Sequence, residues 1–197
     1  MNRVLAGGAL AIFIAAMAGI ALSSVGSGGG SDSPATTIVS TTRPVTRPQP
    51  AKPPPKPARI ALVALGPYDP PPGDGTENDA EVANAVDGDA STFWSTEHYT
   101  HGFFKPGVGI VLDAGKKQAI GRVLVGTDAP GSRAEIQLGD TPTGPYRVVS
   151  ADRALEPGST TFPLRRGASG RYLLVWLTAL PDPGGEGHIT EVRAFGR

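Results

Sequence analysis

From residue 60 onward the chain is a succession of short β-type runs separated by Gly, Pro and Asp turns. The runs cover 60–65, 108–112, 120–126, 134–138, 146–150, 160–164, 172–178 and 189–195. Apolar and polar residues alternate in 134–138 and 189–195, the signature of a strand with one buried face. Residues 172–177, Tyr-Leu-Leu-Val-Trp-Leu, are continuously apolar and read as a central strand covered on both faces. Only 78–86 offers a short turn of helix. Eight strands in about 138 residues predict an all-β fold, an eight-stranded jelly-roll β-sandwich over 60–197. Such a length is sufficient to bury a core.

The preceding residues are of a different kind. Residues 4–25 carry no charge and are rich in Ala, Gly and large apolar side chains, long enough to span a ~30 Å hydrocarbon core as one helix. Arg3 precedes this stretch, which orients the N-terminus to the cytoplasm and the rest outside. The small-x-small site Ala16-Met17-Ala18 lies inside the stretch rather than after it. An uncleaved signal anchor over 1–25 fits better than a cleaved signal peptide, which would leave the protein secreted. Residues 26–59 begin Gly-Ser-Gly-Gly-Gly-Ser and continue through eight prolines. They predict an extracytoplasmic linker, flexible and then semi-rigid, reaching at most about 100 Å. The resulting expectation is a single-pass cell-membrane protein whose C-terminal domain is extracytoplasmic.

Charge is divided along the chain. Residues 1–59 set Arg3, Arg43, Arg47, Lys52, Lys56 and Arg59 against Asp32, a net +5. Since the whole chain has 18 basic and 18 acidic residues, 60–197 carries −5. Within 60–104 there are eight acids and neither Lys nor Arg, a block that repels itself unless a cation sits in it. No nucleic-acid partner is expected of a domain with this balance. With no cysteine, disulfides, thiolate metal sites and thiol catalysis are excluded. There is neither a Gly-x-Ser-x-Gly elbow nor a phosphate-binding Gly loop with its Lys, so an enzyme is not expected.

The most informative segment is Asn84-Ala-Val-Asp-Gly-Asp-Ala-Ser-Thr-Phe-Trp94. Asp87-Gly88-Asp89 is turn chemistry, and its carboxylates, the Thr92 hydroxyl and turned-in carbonyls could form the all-oxygen cage that Ca2+ requires. It is not an EF-hand: the sixth loop position is Thr92 and the twelfth is His98. The competing reading is that Asp87 and Thr92 are turn caps and that Glu191 pairs with a nearby Arg. Trp94 is expected in the core. A second loop, 97–105, mixes aromatics with polar side chains, a combination suited to stacking on a sugar ring and hydrogen-bonding its hydroxyls. Its candidate ligand-binding residues are Tyr99, His101, Phe103 and Lys105; the alternative is that its aromatics pack inward. The pair His98 and His101 lacks a third metal ligand.

The word Asn-Ala-Val-Asp-Gly-Asp-x-x-Thr-Phe-Trp, the strand pattern and the late Glu191-Val192-x-x-Phe195-Gly196 together resemble the discoidin-like, coagulation factor type C or galactose-binding-like domain. Tyr68-Asp69-Pro70, Gly73-Asp74-Gly75-Thr76-Glu77-Asn78, Lys105-Pro106-Gly107-Val108-Gly109 and 172–178 are similar to extracytoplasmic domains of actinobacterial membrane serine/threonine kinases and flippase-associated pseudokinases. The resemblance implies a structural Ca2+, with side-chain ligands Asp87, Thr92 and Glu191 and main-chain carbonyls of Asn84, Asp89 and Thr190. It also implies a non-catalytic binding module for a cell-envelope glycan. The other reading is a protein-interaction or sensor ectodomain that recruits an envelope protein.

Overall fold

A computed structural model describes residues 56–181 and 184–197. The anchor expected at 1–25, and the linker as far as residue 55, lie outside the described residues. Among the described residues no helix is long and apolar enough to cross a membrane.

The domain is built from antiparallel strands and one 3-10 helix. The strands are β1 (Arg59–Ile60), β2 (Val63–Tyr68), β3 (Trp94–Ser95), β4 (Val108–Ala119), β5 (Arg122–Thr127), β6 (Arg133–Gly139), β7 (Arg147–Val148), β8 (Arg153–Ala154), β9 (Gly158–Pro163), β10 (Ser169–Ala179), β11 (His188–Ile189) and β12 (Glu191–Phe195). The helix is Asp79–Val86. One sheet has the order β1-β12-β5-β9. The other has the order β2-β4-β10-β6-β7, with β8 also on β6, and β11 pairs with β3 in a small ribbon.

Each of the eight expected runs falls on strand, but the number of strands among the described residues is twelve. The run 60–65 splits, because Ile60 pairs with Ala194 in one sheet and Val63 with Asp113 in the other. The run 189–195 splits at Thr190, whose N–H donates to the Gly126 carbonyl at 3.0 Å. The pieces β3 and β8 are two residues long and too short to carry a period. Arg59, assigned by sequence to the linker, already belongs to β1.

The core lies between the two main sheets. Leu173, Val175 and Leu177 of β10 meet Val192 and Ala194 of β12 and Val123 and Val125 of β5 in one buried cluster. The opposite face of β10, Tyr172, Leu174 and Trp176, is buried with Val111 beneath Tyr68 and Tyr146. That second layer explains the unbroken apolar run, since β10 lies between β4 and β6 and is covered above and below. Trp94 is fully buried, and its indole N–H donates to the Glu77 carbonyl at 2.7 Å.

The register gives the sandwich two ends. At one end the chain crosses through 69–107, 127–132, 180–181 and 184–190. At the other it crosses through 114–121, 140–146 and 164–168, beside residues 56–58 and 196–197. The first end brings together the segments singled out in the sequence.

Candidate functional site

The loop 84–92 follows the 3-10 helix and closes on itself. Asp87 Oδ1 accepts the Asp89 N–H at 2.8 Å, and Gly88 takes the turn with φ +86. The Thr92 hydroxyl lies 2.7 Å from Asp87 Oδ2 and 2.9 Å from the Asp89 carbonyl. Glu191, more than a hundred residues later, is brought to this loop by the pairing of β12 with β5, and its Oε2 accepts the Gly88 N–H at 2.9 Å. Its Oε1 pairs with Arg59 at 3.2 Å. Thr190 is buried beside Gly126, where an added Cβ would lie 2.6 Å from Thr190 Oγ1. The Asn84 side chain is turned away, donating to the Phe93 carbonyl at 2.8 Å. The Asp89 carboxylate is held below its usual range by the hydroxyl and then the N–H of Ser91.

Asp87, the Asp89 carbonyl, Thr92 and Glu191 supply only oxygen, as a hard cation requires, but here Glu191 is engaged by Arg59 and the Gly88 N–H, and Asp87 accepts from Asp89 and Thr92. Among the described residues no three His, Cys, Asp or Glu side chains converge on a metal position. A cation here would therefore depend on hydroxyl and carbonyl oxygens as much as on carboxylates.

The loop 97–105 is held from within. Asp69 and Glu77 are buried, and Lys105 Nζ lies 2.7 Å from Asp69 Oδ1 and 3.1 Å from Glu77 Oε1, with its side chain only 6% exposed. The Tyr99 hydroxyl donates to Glu77 Oε1, and Glu77 Oε2 accepts the Glu97 N–H at 2.6 Å. Burial alone would depress the Lys105 ammonium, but hydrogen bonds to Asp69, Tyr99 and Glu77 outweigh it and raise its pKa. Burial, then the hydrogen bond to Glu77, raises the Tyr99 hydroxyl. Gly73 closes over the pair, since a Cβ there would meet the Asp69 carboxylate at 2.0 Å.

The four candidate ligand residues thus divide. Tyr99 and Lys105 are turned inward, Tyr99 as in the alternative reading that the loop's aromatics pack inward, and Lys105 because it is the cation the acidic block needs. Phe103 is half-buried and packs edge-to-face on Tyr99 at 5.1 Å. His101 is exposed. The aromatic that reaches solvent is Phe104, 68% exposed. It stands at a recess of about 260 Å³ walled by Asp74, Glu97, His98, Thr100 and His101, with Tyr99 and Lys105 at its floor. Burial, then the charges of Glu77 and Asp74, raises the Glu97 carboxyl.

The sequence reading missed a neighbouring cluster. His188 stacks on Phe93 with centroids 4.2 Å apart and planes 7° from parallel, and its Nδ1 is 2.9 Å from Asp128 Oδ1. Glu186 stands 3.8 Å from both His188 and His98. Its members come from three loops far apart in sequence, and no local spacing links them.

No known family model matches the sequence. Among solved structures the domain is similar to a family 32 carbohydrate-binding module from a family 31 glycoside hydrolase of Clostridium perfringens: 18% identity, TM-score 0.51, covering 70% of this chain and 92% of that one. It is also similar to the family 32 module of C. perfringens NanJ in complex with galactose: 15% identity, TM-score 0.51, covering 70% and 97%. A third likeness is to the family 32 module of AlyQ in complex with 4,5-unsaturated mannuronic acid: 20% identity, TM-score 0.50, covering 71% and 97%. At these identities the likeness shows the fold, which is the galactose-binding-like, discoidin-type β-sandwich. The neighbours are carbohydrate-binding modules, some of them parts of enzymes.

Proposed function

We propose that the protein is a non-catalytic carbohydrate-binding module, displayed outside the cell on an N-terminal membrane anchor, with a structural Ca2+ in the 84–92 loop. The observation that carries the reading is Phe104, a large apolar ring left in solvent at the mouth of a recess with polar walls. An exposed aromatic beside hydrogen-bonding groups suits the apolar face and hydroxyl rim of a sugar. Support also comes from the fold, whose solved neighbours include modules holding galactose and a mannuronic acid. The anchor and the likeness to kinase-associated ectodomains rest on sequence, and they make a cell-envelope glycan the ligand class.

The test is binding of the full-length protein, in neutral detergent, to a panel of neutral cell-envelope oligosaccharides. Phe104→Ala is expected to weaken binding of any recognised glycan at least tenfold, while changing stability by less than about 0.5 kcal/mol because the ring is exposed. Binding unchanged by this substitution, or a panel with no binder at all, sinks the reading and leaves a protein-recruiting ectodomain in its place.

The cation reading has its own test. A ligand that binds only the folded state stabilises it by mass action, about 2.7 kcal/mol at a hundredfold excess over its Kd. Ca2+ should raise the melting temperature of the wild type, EDTA should reverse the rise, and Asp87→Ala should abolish it. A melting temperature indifferent to Ca2+ would reduce the loop to a capped turn.

A further inference from the structure

The domain's charges are segregated between its two ends. The loop end carries the acids of 69–97 with Asp128, Asp152 and Glu186, and there Lys105 is committed to two carboxylates and Arg133 is paired with Asp152. At the opposite end the register gathers cations from strand ends and turns: Lys117 of β4, Arg122 of β5, Arg147 of β7, and Arg165, Arg166 and Arg197. The Asp140 carboxylate there pairs with Lys117 at 2.9 Å. Arg122 lies over the Phe195 ring at 4.6 Å, and Arg147 donates to the Ser169 carbonyl at 3.1 Å. The exposed side chains of Arg165 and Arg166 make no hydrogen bond or ion pair among the described residues. Lys117, Arg147, Arg165 and Arg166 wall a recess of about 380 Å³ floored by 167–169.

We infer that this recess is a second binding site, independent of the glycan site at the other end, for a phosphate-bearing polyanion. Guanidinium groups match phosphate oxygens in bidentate geometry. A recess of this volume has room for more than one phosphate, which suits a chain presenting several. Its lining holds no aromatic side chain on which a base could stack, a chemistry that suits a polyol phosphate better than a nucleic acid. A planar bilayer meets protruding cations more readily than those on the walls of a recess. Opposed ends of opposite charge would also orient the domain on such a polymer, with the glycan site directed away.

The experiment titrates full-length protein in neutral detergent with inorganic polyphosphate at several salt concentrations. The wild type is expected to bind, with log K falling linearly against log salt. The double variant Arg165→Gln, Arg166→Gln should bind at least tenfold more weakly in low salt. Its slope should be shallower by roughly 1.5–2, the share of two lost phosphate contacts. Its melting temperature should be unchanged, because both side chains are exposed. Phe104→Ala should retain wild-type polyphosphate binding, which separates this site from the proposed glycan site. Wild-type affinity and slope in the double variant would overturn the inference by assigning binding to other cations, including those of 43–52. Binding to phosphatidylglycerol in mixed micelles that polyphosphate cannot displace would overturn it in favour of a lipid surface.

Discussion

Replacing Lys105 with Met should cost the domain about 3–5 kcal/mol. The substitution preserves most of the volume and removes the cation between Asp69 and Glu77, two carboxylates shielded from solvent. Breaking a buried pair by deleting one partner leaves an uncompensated charge, and that is the source of the magnitude. For a domain of this size the melting temperature should fall by roughly 10–20 °C. Adding Asp69→Asn and Glu77→Gln should recover most of the loss, because the neutral set no longer contains an unpaired charge. A Lys105→Met protein within about 1 kcal/mol of wild type in urea unfolding would show that water reaches the pair and that the network does not hold the loop. The same network sets an alkaline limit. Lys105 and Tyr99 both have folded pKa values above their ordinary ones. Their contribution is complete below their unfolded values near ~10 and is lost as pH rises through the folded values. Stability should therefore decline above about pH 10, and less steeply in Lys105→Met, which has already lost the lysine's share.

This network also marks where the sequence stops being legible. The acidic run of 69–97 with no cation announced that one had to be supplied, and Lys105 is the first cation after it. What no pattern announced was direction. Residues 97–105 are irregular, so neither a period of 2 nor one of 3.6 separates inward from outward positions. Phe103 and Phe104 are adjacent and chemically identical, yet one packs on the core and the other stands in solvent. The difference is set by Tyr99 and Lys105, whose partners Glu77 and Asp69 lie 22 and 36 residues earlier. Strands were readable because alternation is local, and the two-faced burial of β10 followed from composition alone. The pairing of His188 with Asp128 spans 60 residues, and the separation of charge between the ends depends on the register of both sheets. In both cases the information lies in the fold. The turn at Asp87-Gly88-Asp89 lies between these extremes: its local hydrogen bonds are written in residue types, whereas the approach of Glu191 needs β12 beside β5.

Trp94 joins the two loops, and its removal should have the other large effect. The ring is fully buried between them: Asn84 holds the carbonyl of Phe93 on one side, while Asn78 holds those of Ser95 and Thr96 on the other. Its N–H satisfies the main-chain carbonyl of Glu77, the residue whose carboxylate meets Tyr99 and Lys105. Trp94→Ala is expected to cost about 3–5 kcal/mol from lost burial and the cavity left behind. Trp94→Phe separates the two contributions. It retains most of the apolar volume but strands the Glu77 carbonyl, and should cost about 1–3 kcal/mol. Trp176 remains in both variants as a fluorescence reporter on the other side of the six-stranded sheet, so unfolding can be followed in each. A Phe variant within about 0.5 kcal/mol of wild type would mean that water or backbone adjustment satisfies Glu77, and that the indole acts by volume alone. A loss in the expected range would mean that one hydrogen bond couples the 84–92 loop to the loop bearing Phe104. On that coupling, the proposed Ca2+ stabilisation and the proposed glycan affinity should weaken together in Trp94→Phe, although Trp94 is buried and lines neither proposed site.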